Sequence, residues 1–149
     1  MELFRIAKEK YTFDLTPSGS ANRWNLKDQQ VIYATESRSL ATLELAVHRT
    51  GIISNLPYRV MVLSVPDADQ LIQQIKLAML PENWRTIAAC GKLQQMGSQW
   101  YHEKRSLMLK IPSAVIPMEY NYMINTLHPD FEWVQLVRSE PYFWDDRLV

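Results

Sequence analysis

The sequence is poor in the residue types that mark several classes of protein. Cys90 is the single cysteine among 149 residues, which excludes an intrachain disulfide and a zinc site with several thiolate ligands. Glycine occurs four times, and neither GxGxxG nor GxxxxGK is present, so the glycine-rich phosphate-binding loops are excluded. No uninterrupted apolar run approaches the roughly 20 residues of a membrane span, and the opening MELFRIAKEK lacks the apolar core of a signal peptide. We therefore expect a cytoplasmic protein without membrane association.

An excess of charge of either sign is also missing. Lysine plus arginine and aspartate plus glutamate each number 16, so the formal charges cancel. No strong field draws the chain to phosphate backbones, and we expect no direct contact with nucleic acid. His48, His102 and His128 share no metal-ligand spacing with another histidine or with cysteine, so we expect no metal site.

The pattern of apolar residues predicts one domain over residues 1–149, because no repeat, charge block or flexible linker divides the chain. Runs rich in β-branched and aromatic residues predict strands at 3–7, 31–35, 58–65, 106–111 and 132–137. Helices are predicted from Ser37 or Ser39 to about Gly51, at 66–76 and at 86–96. Residues 112–129 are predicted to be irregular, and the class is mixed α and β.

Glu44 is the most informative single residue, because helical spacing places it on the same face as Leu40 and Val47. A carboxylate on a core-facing stripe is unusual, since an unpartnered buried charge is very costly. Two interpretations stay open. In one, Glu44 lies at the edge of the stripe and pairs with His48 or with solvent. In the other, it points into a cleft.

Three further polar residues have an ordinary structural interpretation beside a functional one. Arg23 either faces a phosphate or carboxylate of a ligand or makes a structural ion pair. Tyr33 lies in the apolar run 31–35, where a tyrosine is usually a core residue with a satisfied hydroxyl. Ser113 lies between two prolines that stiffen the backbone, which suits an ordinary turn serine as well as a hydroxyl held for a ligand.

Taken together and in order, these segments resemble the RES domain, the toxin half of the bacterial RES–Xre toxin–antitoxin systems. The family's opening signature, Gly-Gly-Arg-Trp-Asn, Val-Ile-Tyr and Leu-Ala-x-x-Glu, is matched at 21–25, 31–33 and 40–44, with Ala-Asn in place of Gly-Gly. Its later signature, Val-Pro-Ser-Ala-Val followed by Glu-x-Asn-x-x-x-Asn-x-x-His-Pro-Asp-Phe, is matched at 111–115 and 119–131. Asp28 replaces a glycine common in the first turn, and aspartate tolerates the positive φ that such a turn needs.

The resemblance implies a fold like that of ADP-ribosyltransferases: α+β, with a mixed, mostly antiparallel sheet core and flanking helices. It also implies that NAD is a substrate and that the bond between nicotinamide and ribose is broken. Glu44, Arg23 and Tyr33 are the expected catalytic residues, with Glu44 facing the positive charge that builds on the anomeric carbon. Arg23 would clamp the pyrophosphate, and Tyr33 would pack against nicotinamide or its ribose. Ser113 would hydrogen-bond that half of NAD, and Asn25 would have a structural or polar role in the binding site.

Two alternatives to NAD hydrolysis stay open. The chain is a protein ADP-ribosyltransferase if an acceptor replaces water, and a binding module if the domain is inactive. The intact set of Arg23, Tyr33, Glu44 and Ser113 favours an enzyme. The resemblance also implies an Xre-type helix-turn-helix antitoxin whose C-terminal segment covers or enters the pocket, and it allows a toxin homodimer. Since the chain has no net charge, DNA contact is expected to come from the antitoxin.

Overall fold

The apolar runs of the sequence assemble into one sheet of seven strands with two α-helices, within the part of the chain that the structure describes. The computed structural model describes residues 1–48 and 56–148. The strands are β1 (Glu2–Lys8), β2 (Val31–Thr35), β3 (Tyr58–Ser64), β4 (Ile72–Gln74), β5 (Met108–Pro112), β6 (Tyr120–Asn125) and β7 (Gln135–Pro141). The helices are α1 (Arg38–His48) and α2 (Cys90–Glu103), and neither is long and apolar enough to cross a membrane.

The strands lie in the order β4-β5-β6-β2-β1-β3-β7. Neighbouring strands are antiparallel except β4 and β5, which are parallel. A mixed, mostly antiparallel sheet with flanking helices is the predicted α+β class, which is confirmed. The ladder between β1 and β2 consists of the pair Phe4 and Thr35, so these two strands diverge beyond it and open a gap inside the sheet.

One face of the sheet carries both helices and leaves a space between them. Directly paired residues of antiparallel strands point to the same face, so Phe4 shares a face with Thr35 and hence with Val31. On that face Phe4 packs in a cluster with Ala41 of α1, whereas Val31 packs in a second cluster with Leu93 of α2. The opposite face is covered by a third apolar cluster, which contains neither helix.

Ser37 is the N-cap of α1. Its Oγ accepts the backbone N–H of Leu40 at 3.0 Å, and its carbonyl oxygen accepts that of Ala41 at 3.0 Å. Of the two serines considered, Ser37 is therefore the one that begins the helix. The predicted end near Gly51 lies outside the described residues.

The predicted helix at 66–76 is wrong. That segment forms a 3-10 turn, Asp69–Leu71, followed by β4, which pairs with β5 at the edge of the sheet. Leu71 and Ile75 are both buried, but in different apolar clusters. Their separation of four residues imitates the stripe of a helix, and pairing with a distant strand decides the conformation instead.

The segment 112–129, predicted to be irregular, contains β6 in the interior of the sheet between β5 and β2. Asn121 and Asn125 interrupt the apolar pattern of this strand, so the sequence pattern did not predict it. Their amides find partners only in the folded chain, since Asn121 donates to Glu44 and Asn125 donates to the carbonyl oxygen of Tyr101. Tertiary contacts therefore override the local signal.

Helix α2 begins and ends later than the predicted range 86–96. A 3-10 turn, Ile87–Ala89, precedes it, and the helix continues to Glu103. Lys104 ends it in the left-handed conformation with φ 52°, donating its N–H to the carbonyl oxygen of Trp100. Gly97 and Ser98 lower the helical signal in the middle of the segment, which is why the sequence predicted too short a helix.

Gly97 allows α2 to contact the backbone of the loop that carries Arg23. A Cβ at Gly97 would lie 1.8 Å from the carbonyl oxygen of Trp24, far inside contact distance. Gln94, on the same helix, donates from Nε2 to the carbonyl oxygen of Asn22 at 2.9 Å. The helix therefore fixes the backbone on both sides of Arg23.

We expect Gly97→Ala to lower the free energy of unfolding by about 1–3 kcal/mol, because the overlap with Trp24 outweighs the roughly 1 kcal/mol of helix propensity that alanine gains. Gly91→Ala is the matched control, since nothing lies within 4 Å of a Cβ at this position of the same helix. That variant should be as stable as the parent or more stable. Urea unfolding of both variants is the measurement, and equal stability would contradict the close approach.

Candidate active site

A pocket of about 600 Å³ lies on the helix-bearing face, between the two apolar clusters. Its volume is in the range of small-molecule sites. Residues of β1, β2, β5, β6 and α1, of the loop before β2 and of the segments 85–86 and 114–115 surround it. Its charged and polar lining residues are Arg5, Asn22, Arg23, Tyr33, Thr35, Glu44, His48, Arg85, Thr86 and Asn121.

Glu44 points from α1 into this pocket. Its Oε1 accepts two hydrogen bonds of 2.7 Å, one from the hydroxyl of Ser113 and one from Nδ2 of Asn121. The side chain is 18% exposed, so the carboxylate is largely withdrawn from solvent. Of the two interpretations of Glu44, the structure supports the one in which it faces a cleft.

The competing interpretation, a pair with His48 at the edge of an apolar stripe, fits the geometry poorly. His48 Nδ1 donates to the backbone carbonyl oxygen of Glu44 at 2.7 Å and lies 3.8 Å from Oε2. The imidazole is 70% exposed, which leaves little Coulombic attraction. Val47, expected to share a core face with Leu40, is 64% exposed and lines the rim of the pocket, whereas Leu40 is fully buried.

Oε2 of Glu44 has a different environment from Oε1. Among the described residues no donor lies within hydrogen-bond distance of it, and the nearest basic side chain in an ion-pair geometry is His48 at 3.8 Å. One carboxylate oxygen is therefore held by the protein, and the other has no donor among the described residues.

Ser113 is fully buried, and protein groups occupy the whole bonding capacity of its hydroxyl. The hydroxyl donates to Glu44 Oε1 and accepts the backbone N–H groups of Val115 and Ile116, both at 3.1 Å. A serine hydroxyl has one proton and two lone pairs, so none remains for a ligand in this arrangement. The contact favours a role through Glu44 over the expected direct contact with nicotinamide or ribose.

Arg23 lies in the pocket wall with its charge unneutralised. Its Nη1 donates to the carbonyl oxygens of Trp84 at 3.3 Å and Arg85 at 3.0 Å. No carboxylate among residues 1–48 and 56–148 forms an ion pair with it. The structural ion pair considered for Arg23 is therefore not formed in the described part of the chain, and the guanidinium is oriented by neutral carbonyl groups instead.

Tyr33 and Asn25 connect the loop before β2 to the sheet. The Tyr33 hydroxyl donates to Oδ1 of Asn25 at 2.6 Å, and Nδ2 of Asn25 donates to the carbonyl oxygens of Ser20 and Leu26, both at 2.9 Å. Burial raises the pKa of Tyr33, so the phenol keeps its proton at neutral pH. The ring of Tyr33 lines the pocket, whereas Asn25 is fully buried and holds the loop that carries Arg23.

Arg5 is a pocket residue that the sequence reasoning missed. Its guanidinium lies where β1 and β2 diverge, and Nη1 donates to the carbonyl oxygen of Tyr33 at 3.2 Å. Burial lowers the pKa of Arg5, yet an arginine remains charged at neutral pH. The available signal was a charged residue inside the apolar strand ELFRIAK.

The charges around the pocket favour an anionic ligand. Arg5, Arg23 and Arg85 line it, and Glu44 is the single carboxylate among its described lining residues. Arg85 donates from Nε to the carbonyl oxygen of Ala114 at 2.7 Å, which ties the rim to the turn that carries Ser113. Guanidinium groups bind phosphate oxygens in paired hydrogen bonds, so this arrangement suits a ligand with phosphate groups. Among the described residues no group of three His, Cys, Asp or Glu side chains is placed to hold a metal.

Comparison with known proteins gives consistent results over nearly the whole chain. The model of the RES domain family matches residues 2–145. The chain is 30% identical to the Prs ADP-ribosylating toxin of Sphingobium sp. strain YBL2, across 98% of this chain and 95% of that protein. It is 29% identical to the Toxin Res of Yersinia enterocolitica, across 99% of each protein.

The fold also resembles a solved structure. A chain of the crystal structure of the MbcT–MbcA toxin–antitoxin complex of M. tuberculosis superposes with a TM-score of 0.76 at 16% identity. The match covers 95% of this chain and 84% of that one. At this identity the likeness establishes a shared fold.

We expect Tyr33→Phe to destabilise the protein by about 1–2 kcal/mol, because it leaves the buried Oδ1 of Asn25 without its donor. Thermal unfolding is the measurement, and the melting temperature should fall by several degrees. Tyr11→Phe is the control, since Tyr11 is 60% exposed. A Tyr33→Phe variant as stable as the control would show that this hydrogen bond does not hold the loop.

Proposed function

The chain belongs to the RES domain family, and from this membership we propose that it is a toxin that degrades NAD by cleaving the bond between nicotinamide and ribose. The observation that carries the proposal is the placement of Glu44 in a pocket whose described lining residues include three arginines. The names of its relatives, Toxin Res and Prs ADP-ribosylating toxin, support it. We further propose that residues 1–149 act as one domain in the cytoplasm, a reducing compartment that suits a lone cysteine.

The proposed reaction needs a carboxylate more than it needs an acid. When the bond between C1′ of the ribose and the pyridinium nitrogen breaks, its electron pair neutralises the ring, and nicotinamide leaves without protonation. Positive charge remains on C1′ and the ring oxygen, as in glycoside hydrolysis. Oε2 of Glu44, which lacks a protein donor among the described residues, would face this charge and stabilise it. Water then adds to C1′ and releases a proton, giving ADP-ribose.

The cations of the pocket supply the binding half of this proposal. Arg23 and Arg5 would contact the pyrophosphate, whose two negative charges match two guanidinium groups without carboxylate partners among the described residues. The ring of Tyr33 would pack against nicotinamide or its ribose. Asn25 would act by fixing the loop of Arg23, and Ser113 by fixing Glu44, because their polar atoms already have protein partners.

Protein ADP-ribosylation is the second candidate, because one relative is named as an ADP-ribosylating toxin. The same pocket would break the same bond, and an acceptor side chain would take the place of water at C1′. Incubating the protein with NAD and no acceptor separates the two reactions. Stoichiometric release of nicotinamide and ADP-ribose supports hydrolysis, whereas nicotinamide release that requires added protein supports transfer. An inactive binding module would release none.

We propose an antitoxin as partner, because a solved structure with this fold is a toxin–antitoxin complex. The partner would be an Xre-type helix-turn-helix protein whose C-terminal segment covers or enters the pocket. A toxin homodimer within the complex is compatible with this arrangement. Nicotinamide release that persists at saturating antitoxin would contradict coverage of the pocket.

Glu44→Gln should keep the fold and lower NAD cleavage by about 100- to 1,000-fold, the scale of losing one preorganised electrostatic group. Glutamine retains an oxygen for the donors from Ser113 and Asn121 but removes the negative charge. Nicotinamide release measured by chromatography, with a thermal melt on the same preparation, tests this. Glu82→Gln, at an exposed position outside the pocket lining, is the control and should be fully active. Near-normal turnover in a folded Glu44→Gln variant would refute the assignment.

Arg23→Lys should raise the KM for NAD by about 10- to 100-fold, since a single ammonium cannot reproduce a two-pronged phosphate contact. The exposed Arg105, at 72% side-chain exposure, provides the matched control in Arg105→Lys. Initial rates over a range of NAD concentrations give KM and kcat for both variants. If KM is the same in both, Arg23 does not bind the pyrophosphate.

A further inference from the structure

We propose that Asn121 is a positioning residue that fixes which oxygen of Glu44 faces the substrate. The inference rests on the proposed NAD cleavage and deepens it. Asn121 lies on β6, paired with Thr35 on one side and Ile111 on the other, so its backbone is held by ladders on both edges. The position of the Asn121 side chain relative to the pocket is therefore well fixed.

The amide of Asn121 has one possible orientation at Glu44. Its Nδ2 lies 2.7 Å from Oε1, and a flipped amide would place its own carbonyl oxygen against the carboxylate. Two acceptors at that distance repel each other, so the nitrogen must be the atom in contact. Together with the Ser113 hydroxyl, this contact fills Oε1 and leaves Oε2 without a donor among the described residues.

The other end of the Asn121 amide carries a cost in stability. Oδ1 of Asn121 is buried and has no hydrogen-bond partner among the described residues. A buried acceptor without a donor disfavours folding, and an apolar side chain of the same size would avoid that penalty. The polar residue at this place in the sheet is therefore explained by what Nδ2 does for Glu44.

Asn125, further along β6 on the same face, shows the contrast. Its Nδ2 donates to the carbonyl oxygen of Tyr101, and its Oδ1 accepts the backbone N–H of Leu127, both at 3.0 Å. Asn125 is fully buried with both ends of its amide satisfied, as expected for a residue that supports the fold. In Asn121 only the Nδ2 end of the amide has a partner among the described residues, and that partner is the carboxylate of Glu44.

Positioning of this kind acts on the transition state. The charge on C1′ develops as the bond breaks. If Oε2 is not held in place, it stabilises this transition state less, while NAD still binds through the arginines. Loss of the Asn121 contact should therefore lower kcat and leave KM unchanged.

Two variants test the proposal on the full-length protein. Asn121→Leu removes both polar atoms at nearly constant volume, and Asn121→Ala removes them by truncating the side chain at Cβ. We expect kcat for NAD to fall at least 10-fold in both, with KM within about 2-fold of the parent. Asn125→Leu, the matched control, should lower the melting temperature instead. In a Glu44→Gln background, Asn121→Leu should cause no further loss of rate.

Two results would overturn the proposal: an unchanged kcat in a folded Asn121→Leu or Asn121→Ala variant, or a raised KM with normal kcat. The second would show that the amide contacts NAD directly. Failure of the proposed function has a different signature, because the parent protein would then release no nicotinamide, or Glu44→Gln would remain active. Should Asn121→Leu fail to fold, Asn121→Ala and its KM and kcat decide the question alone.

Discussion

The two hydrogen bonds on Oε1 of Glu44 are the interaction on which the site depends. They join α1 to β6 and to the turn after β5, segments about 70 positions apart along the chain. They require the register that pairs Asn121 with Thr35 and Ile111, since a slip of one residue would turn Asn121 to the other face. A carboxylate that is 18% exposed would be costly without them. The sheet order is thus what permits a charge to lie in the pocket.

The arginines of the pocket are oriented by backbone carbonyl groups and not by carboxylates of the described residues. Arg5 and Arg23 donate to carbonyl oxygens, and neither has a carboxylate partner among the described residues. Neutral carbonyl groups orient a guanidinium without cancelling its charge, which keeps the charge for a ligand at some expense of stability. The close approach of Gly97 to Trp24 supplies rigidity at this point, because the loop of Arg23 has no strand or helix of its own.

The sequence predicted local structure correctly where residues close together in the chain determine it. The strand at 31–35 has the predicted bounds, Ser37 caps α1, and Asp28 adopts the positive φ of 68° expected from its place in the turn. Family membership was predicted from short signatures, and the match over residues 2–145 confirms it. The segments 66–76 and 112–129 were misread because their conformation depends on pairing with distant strands. Arg5 was missed for the same reason, since the gap it fills exists only between two diverging strands.

A sequence motif identifies a residue but does not show how many hydrogen bonds its side chain makes. The sequence alone therefore does not distinguish residues that can contact a ligand from residues that support them. Among the described residues, Arg23 and Glu44 have polar atoms without protein partners, whereas Ser113 and Asn25 have theirs filled by protein groups. Both kinds stand in the same signatures. Residues with unpartnered polar atoms can contact a substrate directly. Residues whose polar atoms all have protein partners can act only by positioning those residues. The division follows from distances, so the roles within the signature become distinguishable only in the folded chain.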